Sequence, residues 1–132
     1  MSKAKILIVD DDQDINNLFK IFLESQDYSV DSYTDAFDAL NSFRKNEYNL
    51  VLLDLKMEKM NGIKLLQKLK EVDDNVIICL TTADKNFIQT PQQDTCDVEN
   101  KNIIYKPVLL KDLKNKVNSL LSIDKAKILT IV

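Results

Sequence analysis

Short apolar runs alternate along the chain with segments in which apolar residues recur at helical spacing. Within residues 5–9, 50–53 and 76–80 the apolar residues follow one another without alternation, which is typical of strands buried on both faces of a parallel sheet. Residues 28–33 alternate and predict a half-covered edge strand, and residues 103–105 predict a short fifth strand.

Helical spacing appears between these strands and after the last one, and a capping residue precedes most of these segments. Residues 84–102 break the pattern, because they are polar and include Pro91, and they predict only a short or irregular helix. The first helix is expected to end near Ser25. The predicted caps and apolar positions are Asp14 before Ile15, Leu18, Phe19, Phe22 and Leu23; Thr34 or Asp35 before Ala36, Ala39, Leu40 and Phe43; Asn61 and Gly62 before Ile63, Leu66 and Leu69; and Leu110, Leu113, Val117, Leu120 and Leu121 in the last helix.

Strands that alternate with helices predict an α/β fold, a parallel sheet with about five helices on its two faces and right-handed crossovers. Five such units fill residues 3–122, so we expect one domain. The tail, residues 123–132, is apolar and ends in KAKILTIV, which repeats the KAKILIV of residues 3–9. A linker stub, an extra edge strand and a self-association segment all fit this tail.

Composition narrows the possible functions. The 132 residues are 45% hydrophobic and 30% charged with a formal charge of −3, which is typical of a globular domain with no electrostatic attraction to nucleic acid or anionic membranes. The absence of histidine excludes a histidine-ligated metal, a Ser-His-Asp triad and a phosphohistidine on this chain, and the single glycine excludes glycine-rich phosphate loops. The sequence contains no signal peptide, no membrane-spanning run and no C-x-x-C pair, so we expect a cytoplasmic protein.

Charged and hydroxyl side chains follow the predicted strands at their carboxyl ends. Parallel strands end at one edge of a sheet, where open α/β sheets bind ligands. Crowded carboxylates repel unless a cation lies between them, and Mg²⁺ prefers carboxylates, water and phosphate oxygens. The set suits phosphoryl transfer to a carboxylate, although a solvated acidic turn also explains the acidic triplet taken alone. The residues are Asp10, Asp11 and Asp12 after the first strand, Asp54 after the third, Thr82 after the fourth and Lys106 after the fifth.

These motifs resemble those of the response-regulator receiver domains of two-component signalling. Each motif is short, but their joint order and their positions at strand ends make the resemblance specific. It covers residues 3–122 and implies a flavodoxin-like doubly wound sheet of five strands in the order 2-1-3-4-5. The matching segments are Ile-Val-Asp10-Asp11, Leu-Leu-Asp54-Leu-Lys-Met-x-x-Met-Asn-Gly62, Thr82-Ala83 and Lys106-Pro107.

The resemblance implies a metal site and a phosphoacceptor. Asp54 would accept a phosphoryl group from a histidine kinase or a histidine phosphotransfer protein. Asp11 would bind Mg²⁺ directly, Asp10 would bind it largely through water, and Lys56 would contribute its backbone carbonyl. Asp12 is expected to cap a helix or to support the site rather than to bind the metal.

The resemblance also implies a set of groups that bind the phosphate. The Thr82 hydroxyl would bond a phosphoryl oxygen, Lys106 would pair with the phosphate, and the small Ala83 would leave room for it. Thr81 beside Thr82 leaves this assignment open by one residue, and Thr82 is favoured because Ala83 follows it. The Lys106–Pro107 bond would be cis.

Three features depart from the family pattern. Glu58 stands where a proline is usual, four residues after the acceptor. Ile103 stands where an aromatic switch residue is usual, and Tyr105, on the same side of the strand, is the nearest aromatic side chain. Residues 84–102 lack the usual firm helix. We therefore expect intact phosphorylation chemistry with an unusual switch, formed by Thr82, Ile103 and Tyr105, and an unusual output surface.

Two other classes of function stay open. A pseudo-receiver would keep the fold and bind proteins without phosphate. A haloacid-dehalogenase-like phosphatase would use the segment from Asp10 to Asp14, although Asp14 is not the Thr or Val of that signature. A flavodoxin-type FMN carrier would share the sheet order, but the acidic crevice would repel the flavin phosphate.

The expected function is therefore a signalling domain rather than an enzyme, since it would promote only its own phosphorylation and dephosphorylation. It would act on an unidentified downstream protein as a monomer or a weak homodimer, without direct contact with nucleic acid or membrane.

Overall fold

The computed structural model describes residues 3–84 and 102–131, and side chains as far as residue 122. The strands form one parallel sheet in the order β2-β1-β3-β4-β5, so the predicted fold class and strand order are confirmed. The expected helix between β4 and β5 falls almost entirely outside the described residues. The elements are β1 (Lys5–Val9), α1 (Gln13–Ser25), β2 (Ser29–Tyr33), α2 (Ala36–Ser42), β3 (Leu50–Asp54), α3 (Gly62–Val72), β4 (Ile77–Thr82), β5 (Ile103–Tyr105) and α4 (Leu110–Ile131).

Helices cover both faces of the sheet. Leu53 and Leu80 are partners in register and are buried against α2 and α3. Leu52 and Cys79, one residue earlier, are also partners and are buried on the opposite face against α1 and α4. Since successive side chains of a strand point to opposite faces, burial on both faces explains why these strands read as continuous apolar runs.

Polar side chains cap the helices that follow the first three strands. The Asp12 carboxylate accepts hydrogen bonds from the N–H groups of Asp14 at 3.0 Å and Ile15 at 3.3 Å. Asp12 is therefore the N-cap of α1, which confirms the expectation that Asp12 caps a helix. The choice of Asp14 as the cap was wrong, because Asp14 lies inside the first turn. Asp35 caps α2 and Asn61 caps α3, as predicted.

One strand end and one helix face differ from the sequence pattern. β4 extends two residues beyond the predicted Leu80, because Thr81 and Thr82 still pair with β5. On α1, Leu18 is 47% exposed whereas Asn16 is fully buried. The apolar spacing alone predicts Leu18 on the buried face, and the polar Asn16 takes part of that face instead.

The last helix continues through the tail. α4 runs to Ile131, so the described part of the tail, residues 123–131, continues this helix. The division into a domain of residues 3–122 and a separate tail stays a prediction. In residues 3–84 and 102–131, no helix is both long enough and apolar enough to cross a membrane.

Candidate functional site

Three carboxylates converge at the carboxyl edge of the sheet. β1 and β3 are neighbours with Val9 opposite Leu53, so Asp10 and Asp54 follow at the same level. Carboxylate oxygens of Asp10, Asp11 and Asp54 lie within 4.8 Å of one another. Asp10 and Asp54 are buried and Asp11 is exposed. Two buried carboxylates and one open to solvent therefore share a space that suits a single cation.

The ammonium group of Lys106 lies against the two buried carboxylates. Its Nζ is 3.3 Å from Asp10 Oδ2 and 3.5 Å from Asp54 Oδ1. Lys106 follows β5, and its backbone N–H donates to the Thr82 carbonyl at 2.8 Å. Because β4 lies between β5 and β3, the side chain reaches across the end of β4 to Asp54. The Lys106–Pro107 bond is cis, as the resemblance implies.

Each of the three carboxylates also accepts a hydrogen bond from a nearby backbone N–H group. Such bonds orient a carboxylate before any cation binds, and bonds to ionised acceptors are among the stronger ones. The acceptor and donor pairs are Asp10 Oδ1 with the Asp12 N–H at 2.9 Å, Asp54 Oδ1 with the Lys56 N–H at 3.3 Å, and Asp11 Oδ2 with the Glu58 N–H at 3.3 Å.

The burial of Asp54 and its repulsion by Asp10 favour the protonated form of the Asp54 carboxyl group. Desolvation, followed by the negative charge of Asp10, raises the pKa of Asp54 to about 6, and Lys106 offsets only part of this effect. Among the described residues, Lys106 supplies the only ammonium group that pairs with these three carboxylates. Excess negative charge on oxygen ligands fits Mg²⁺, which binds one or two carboxylates and keeps several waters.

The strand register separates the two neighbouring threonines. Thr81 is the partner of Asp54, so the two side chains share a face of the sheet. Thr82 is the partner of Tyr105, lies on the other face, and accepts a hydrogen bond from the Asp84 N–H on its hydroxyl at 3.0 Å. The register therefore keeps Thr81 as an alternative to the predicted Thr82.

The other predicted site residues lie at the same end of the sheet. Ala83 directly follows β4 and is exposed. Ile103 is buried in the core that α2 and α3 cover, and the half-buried Tyr105 packs against the same core. The prediction that Ile103 and Tyr105 face the same side of β5 is confirmed. The switch role of these two residues, the phosphate-binding role of Ala83 and the metal-binding role of the Lys56 carbonyl stay predictions.

Comparison with known proteins decides the family. The family model of the response regulator receiver domain matches residues 6–118. The chain belongs to this family. The receiver fold and the response-regulator class inferred from the strand-end motifs are therefore confirmed.

Curated relatives of this receiver domain are longer proteins. Regulatory protein VanRB of Enterococcus faecalis is 34% identical over 119 residues, which are 89% of this chain and 52% of that protein. Transcriptional regulatory protein ResD of Bacillus subtilis is 30% identical over 122 residues, which are 91% of this chain and 49% of that protein. The chain thus spans about half the length of the curated relatives it matches.

Solved receiver structures are similar to this chain in fold. A CheY-like response regulator receiver domain protein from Methanospirillum hungatei has a TM-score of 0.81 and 28% identity, and the match covers 96% of this chain and 99% of that one. The response regulator TrrA of Thermotoga maritima, in complex with Mg(2+)-BeF, has a TM-score of 0.75 and 26% identity, with coverage of 91% and 99%.

Asn16 supports the receiver site, although the sequence analysis does not single it out. Its Nδ2 donates to the carbonyls of Asp10 at 2.7 Å and Tyr33 at 3.0 Å, which joins the ends of β1 and β2. Asn16 lies three residues before Phe19 and seven before Leu23, so helical spacing places it on the buried face of α1. A polar residue on the buried face of a helix was the feature of the sequence that could have identified Asn16.

Gly62 packs directly behind the candidate acceptor. A Cβ atom at Gly62 would lie 2.7 Å from the Asp54 carbonyl oxygen and 2.7 Å from Leu55 Cα. The Gly62 N–H donates to the Leu55 carbonyl at 2.7 Å. A glycine is therefore needed for the chain after β3 to close against the backbone that carries Asp54.

Proposed function

We propose that this receiver domain accepts a phosphoryl group on Asp54 with Mg²⁺ bound by Asp10, Asp11 and Asp54. The donor is a phosphohistidine of a histidine kinase or of a histidine phosphotransfer protein. One observation carries the proposal: three carboxylates lie within 4.8 Å of one another beside the Lys106 ammonium, which is 3.5 Å from Asp54. Lys56 adds its backbone carbonyl to the metal ligands.

The Asp54 carboxylate is the nucleophile. One of its oxygens attacks the phosphorus, a P–O bond forms, and the P–N bond to the donor imidazole breaks. The imidazole leaves with the electron pair and takes up a proton from solvent. A pKa of about 6 leaves Asp54 largely ionised at neutral pH. The contacts described for this carboxylate fall on Oδ1, which supports Oδ2 as the attacking atom.

Positive charge and hydrogen-bond donors hold the transferred group. Mg²⁺, when bound, neutralises charge on the phosphoryl oxygens. Lys106 pairs with the phosphoryl group and exchanges its contact with Asp54 for that new one. A threonine hydroxyl donates to a phosphoryl oxygen, and the small Ala83 leaves room. The register supports Thr81 for this role and the motif supports Thr82, so the variants Thr81→Ala and Thr82→Ala form a matched pair.

Partners follow from this chemistry. A phosphoryl group adds about −1.5 to −2 charges, and the receiver domain passes this change to a downstream protein through altered contacts. The Mg(2+)-BeF complex of the Thermotoga relative supports the same metal here. The domain promotes only its own phosphorylation and dephosphorylation. Its cytoplasmic location and its state as a monomer or weak homodimer stay predictions.

The alternatives have less support. A haloacid-dehalogenase-like phosphatase would need Asp10 as a free nucleophile. Instead, Asp10 Oδ1 accepts from the Asp12 N–H, and Asp10 Oδ2 pairs with Lys106. A pseudo-receiver would have no need for two buried carboxylates next to a third one and a lysine, an arrangement that is costly to keep without a cation or a phosphate.

Acetyl phosphate labelling followed by intact-protein mass spectrometry tests the proposal. We expect one phosphoryl group per chain with Mg²⁺ and none with EDTA. Asp54→Asn should abolish the label. Asp12→Asn is the matched control and should keep it, because asparagine also caps helices well. A label that survives in Asp54→Asn would overturn the assignment, and repeated turnover of p-nitrophenyl phosphate would support the phosphatase.

A further inference from the structure

In the loop between β3 and α3, residues 55–61, two successive residues make contacts beside the candidate metal site. The Glu58 N–H donates to Asp11 Oδ2 at 3.3 Å. One residue later, Lys59 Nζ pairs with Asp35 Oδ2 at 2.6 Å. The loop is therefore tied to a carboxylate of the site at one residue and to the start of α2 at the next.

We propose that Lys59 is a positioning residue for the metal site, because its ion pair with Asp35 holds the loop where the Glu58 N–H orients the Asp11 carboxylate. This inference rests on the proposed function, since it takes Asp11 as a Mg²⁺ ligand. Lys59 acts through the backbone and does not itself bind the metal.

Asp11 is the carboxylate that most needs such support. Asp10 and Asp54 are buried and both contact Lys106. Asp11 is exposed, and the hydrogen bond that its carboxylate accepts within the described residues comes from Glu58. A side chain that is already held loses less conformational entropy when it binds a cation. The Glu58 N–H therefore favours metal binding by Asp11.

Asp35 is a well-fixed anchor for the loop. Its Oδ1 accepts hydrogen bonds from Phe37 N at 2.8 Å and Asp38 N at 3.1 Å, which leaves Oδ2 for Lys59. Asp11 and the Lys59–Asp35 pair line one cavity of about 240 Å³. The ion pair thus forms part of the wall of the cavity onto which Asp11 opens.

The identity of residue 58 makes the Asp11 contact possible. Glu58 has a backbone N–H group that donates to Asp11, and a proline would have no N–H group to donate. This chain therefore has a donor to Asp11 that a proline at the same position would remove. The Lys59–Asp35 pair is the contact nearest in sequence that fixes this donor in place.

Isothermal titration calorimetry on the whole chain measures the Mg²⁺ affinity of Lys59→Met. This affinity distinguishes a positioning role of Lys59 from an effect of its charge alone. Removal of a cation near the site would, by charge alone, tighten Mg²⁺ binding. Loss of the ion pair that anchors the loop would weaken Mg²⁺ binding instead. We expect Mg²⁺ to bind about twofold to fivefold more weakly, which corresponds to the free energy of an exposed ion pair. The two explanations therefore predict opposite signs.

Two further variants control for charge and for the anchor. Lys64→Met removes the charge of an exposed lysine in the first turn of α3, and we expect unchanged or slightly tighter binding. Asp35→Asn keeps a capping side chain and removes the carboxylate that Lys59 contacts. Loss of a negative charge near the site weakens Mg²⁺ binding by itself, so the readout for this variant is amide hydrogen exchange at Glu58, which we expect to be faster. In the metal-free protein, amide hydrogen exchange at Glu58, measured by NMR, should be faster in Lys59→Met and unchanged in Lys64→Met.

The outcomes distinguish this inference from the proposed function. Unchanged or tighter Mg²⁺ binding in Lys59→Met, with normal binding by the wild type, overturns the positioning role and leaves the proposed function standing. Unchanged exchange at Glu58 overturns it as well. Absence of Mg²⁺ binding by the wild type overturns both.

Discussion

The Nζ atom of Lys106 lies 3.5 Å from Oδ1 of Asp54. The lysine ammonium group therefore occupies part of the space beside this carboxylate that a metal ion would take. This group partly neutralises the buried carboxylates of Asp10 and Asp54. In the proposed function, the lysine would therefore compete with Mg²⁺ for these carboxylates and would contact a phosphoryl group on Asp54.

Lys106→Met should bind Mg²⁺ more tightly than the wild type, by about threefold to tenfold, because the competing ammonium group is removed. Calorimetric titration checks this. Lys111→Met, which removes the charge of an exposed lysine at the start of α4, should bind as the wild type does. Weaker binding in Lys106→Met would contradict the competition.

Asp54→Asn should stabilise the metal-free protein at neutral pH. Folding raises the pKa of Asp54 to about 6, mainly by burial, so the folded state holds the proton more tightly than the unfolded state. The stability linked to this proton is present below about pH 4 and is lost as the pH rises through about 6. The uncharged variant avoids that loss.

Urea unfolding in EDTA measures this effect. At pH 7.5 we expect Asp54→Asn to be more stable than the wild type by on the order of 2 kcal/mol, and we expect the gap to shrink towards pH 4. Equal stability of the wild type and Asp54→Asn at pH 7.5 would show that the ionised Asp54 does not destabilise the metal-free protein.

The sequence was sufficient to predict those residues of the site that directly follow apolar runs. Asp10 and Asp54 follow continuous apolar stretches, and parallel strands bring such ends together. Lys106 follows the fifth strand in the same way. The convergence of these three residues could therefore be predicted before any coordinates, whereas the strand order 2-1-3-4-5 came from the resemblance to receiver domains.

The parts that could not be predicted depend on single-residue register and on contacts between loops. Asp12 and Asp14 both suit a helix cap, and only the path of the chain after β1 places Asp12 there. Thr81 and Thr82 differ by one residue, which reverses the face of the sheet. The Lys59–Asp35 pair joins two loops, and no periodicity in the sequence reports such a contact.

Gly62→Ala should destabilise the protein and disturb the acceptor. The added Cβ would lie 2.7 Å from two backbone atoms, the Asp54 oxygen and Leu55 Cα, and the backbone cannot move aside as a flexible side chain can. We expect a loss of about 1–3 kcal/mol in the free energy of unfolding and slower labelling by acetyl phosphate. Lys64→Ala, on the exposed side of the same helix, should leave both unchanged.

Cys79 should not react with thiol reagents while the protein is folded. It is fully buried against α1 and α4, and burial raises the pKa of its thiol to about 12, so almost no thiolate forms near neutral pH. A Cys96→Ser background isolates Cys79 for labelling with iodoacetamide. We expect labelling in denaturant and none in native buffer. Rapid labelling in native buffer would contradict the buried position.

The convergence of Asp10, Asp11, Asp54 and Lys106 on one cation and one phosphoryl group is tested most directly by NMR titration with Mg²⁺ and then with beryllofluoride, a phosphoryl mimic. We expect saturable shifts of the amides at Asp11, Lys56 and Lys106, a second set of shifts with beryllofluoride, and loss of that second set in Asp54→Asn. Beryllofluoride shifts that persist in Asp54→Asn, or Mg²⁺ shifts centred elsewhere in the chain, would contradict it.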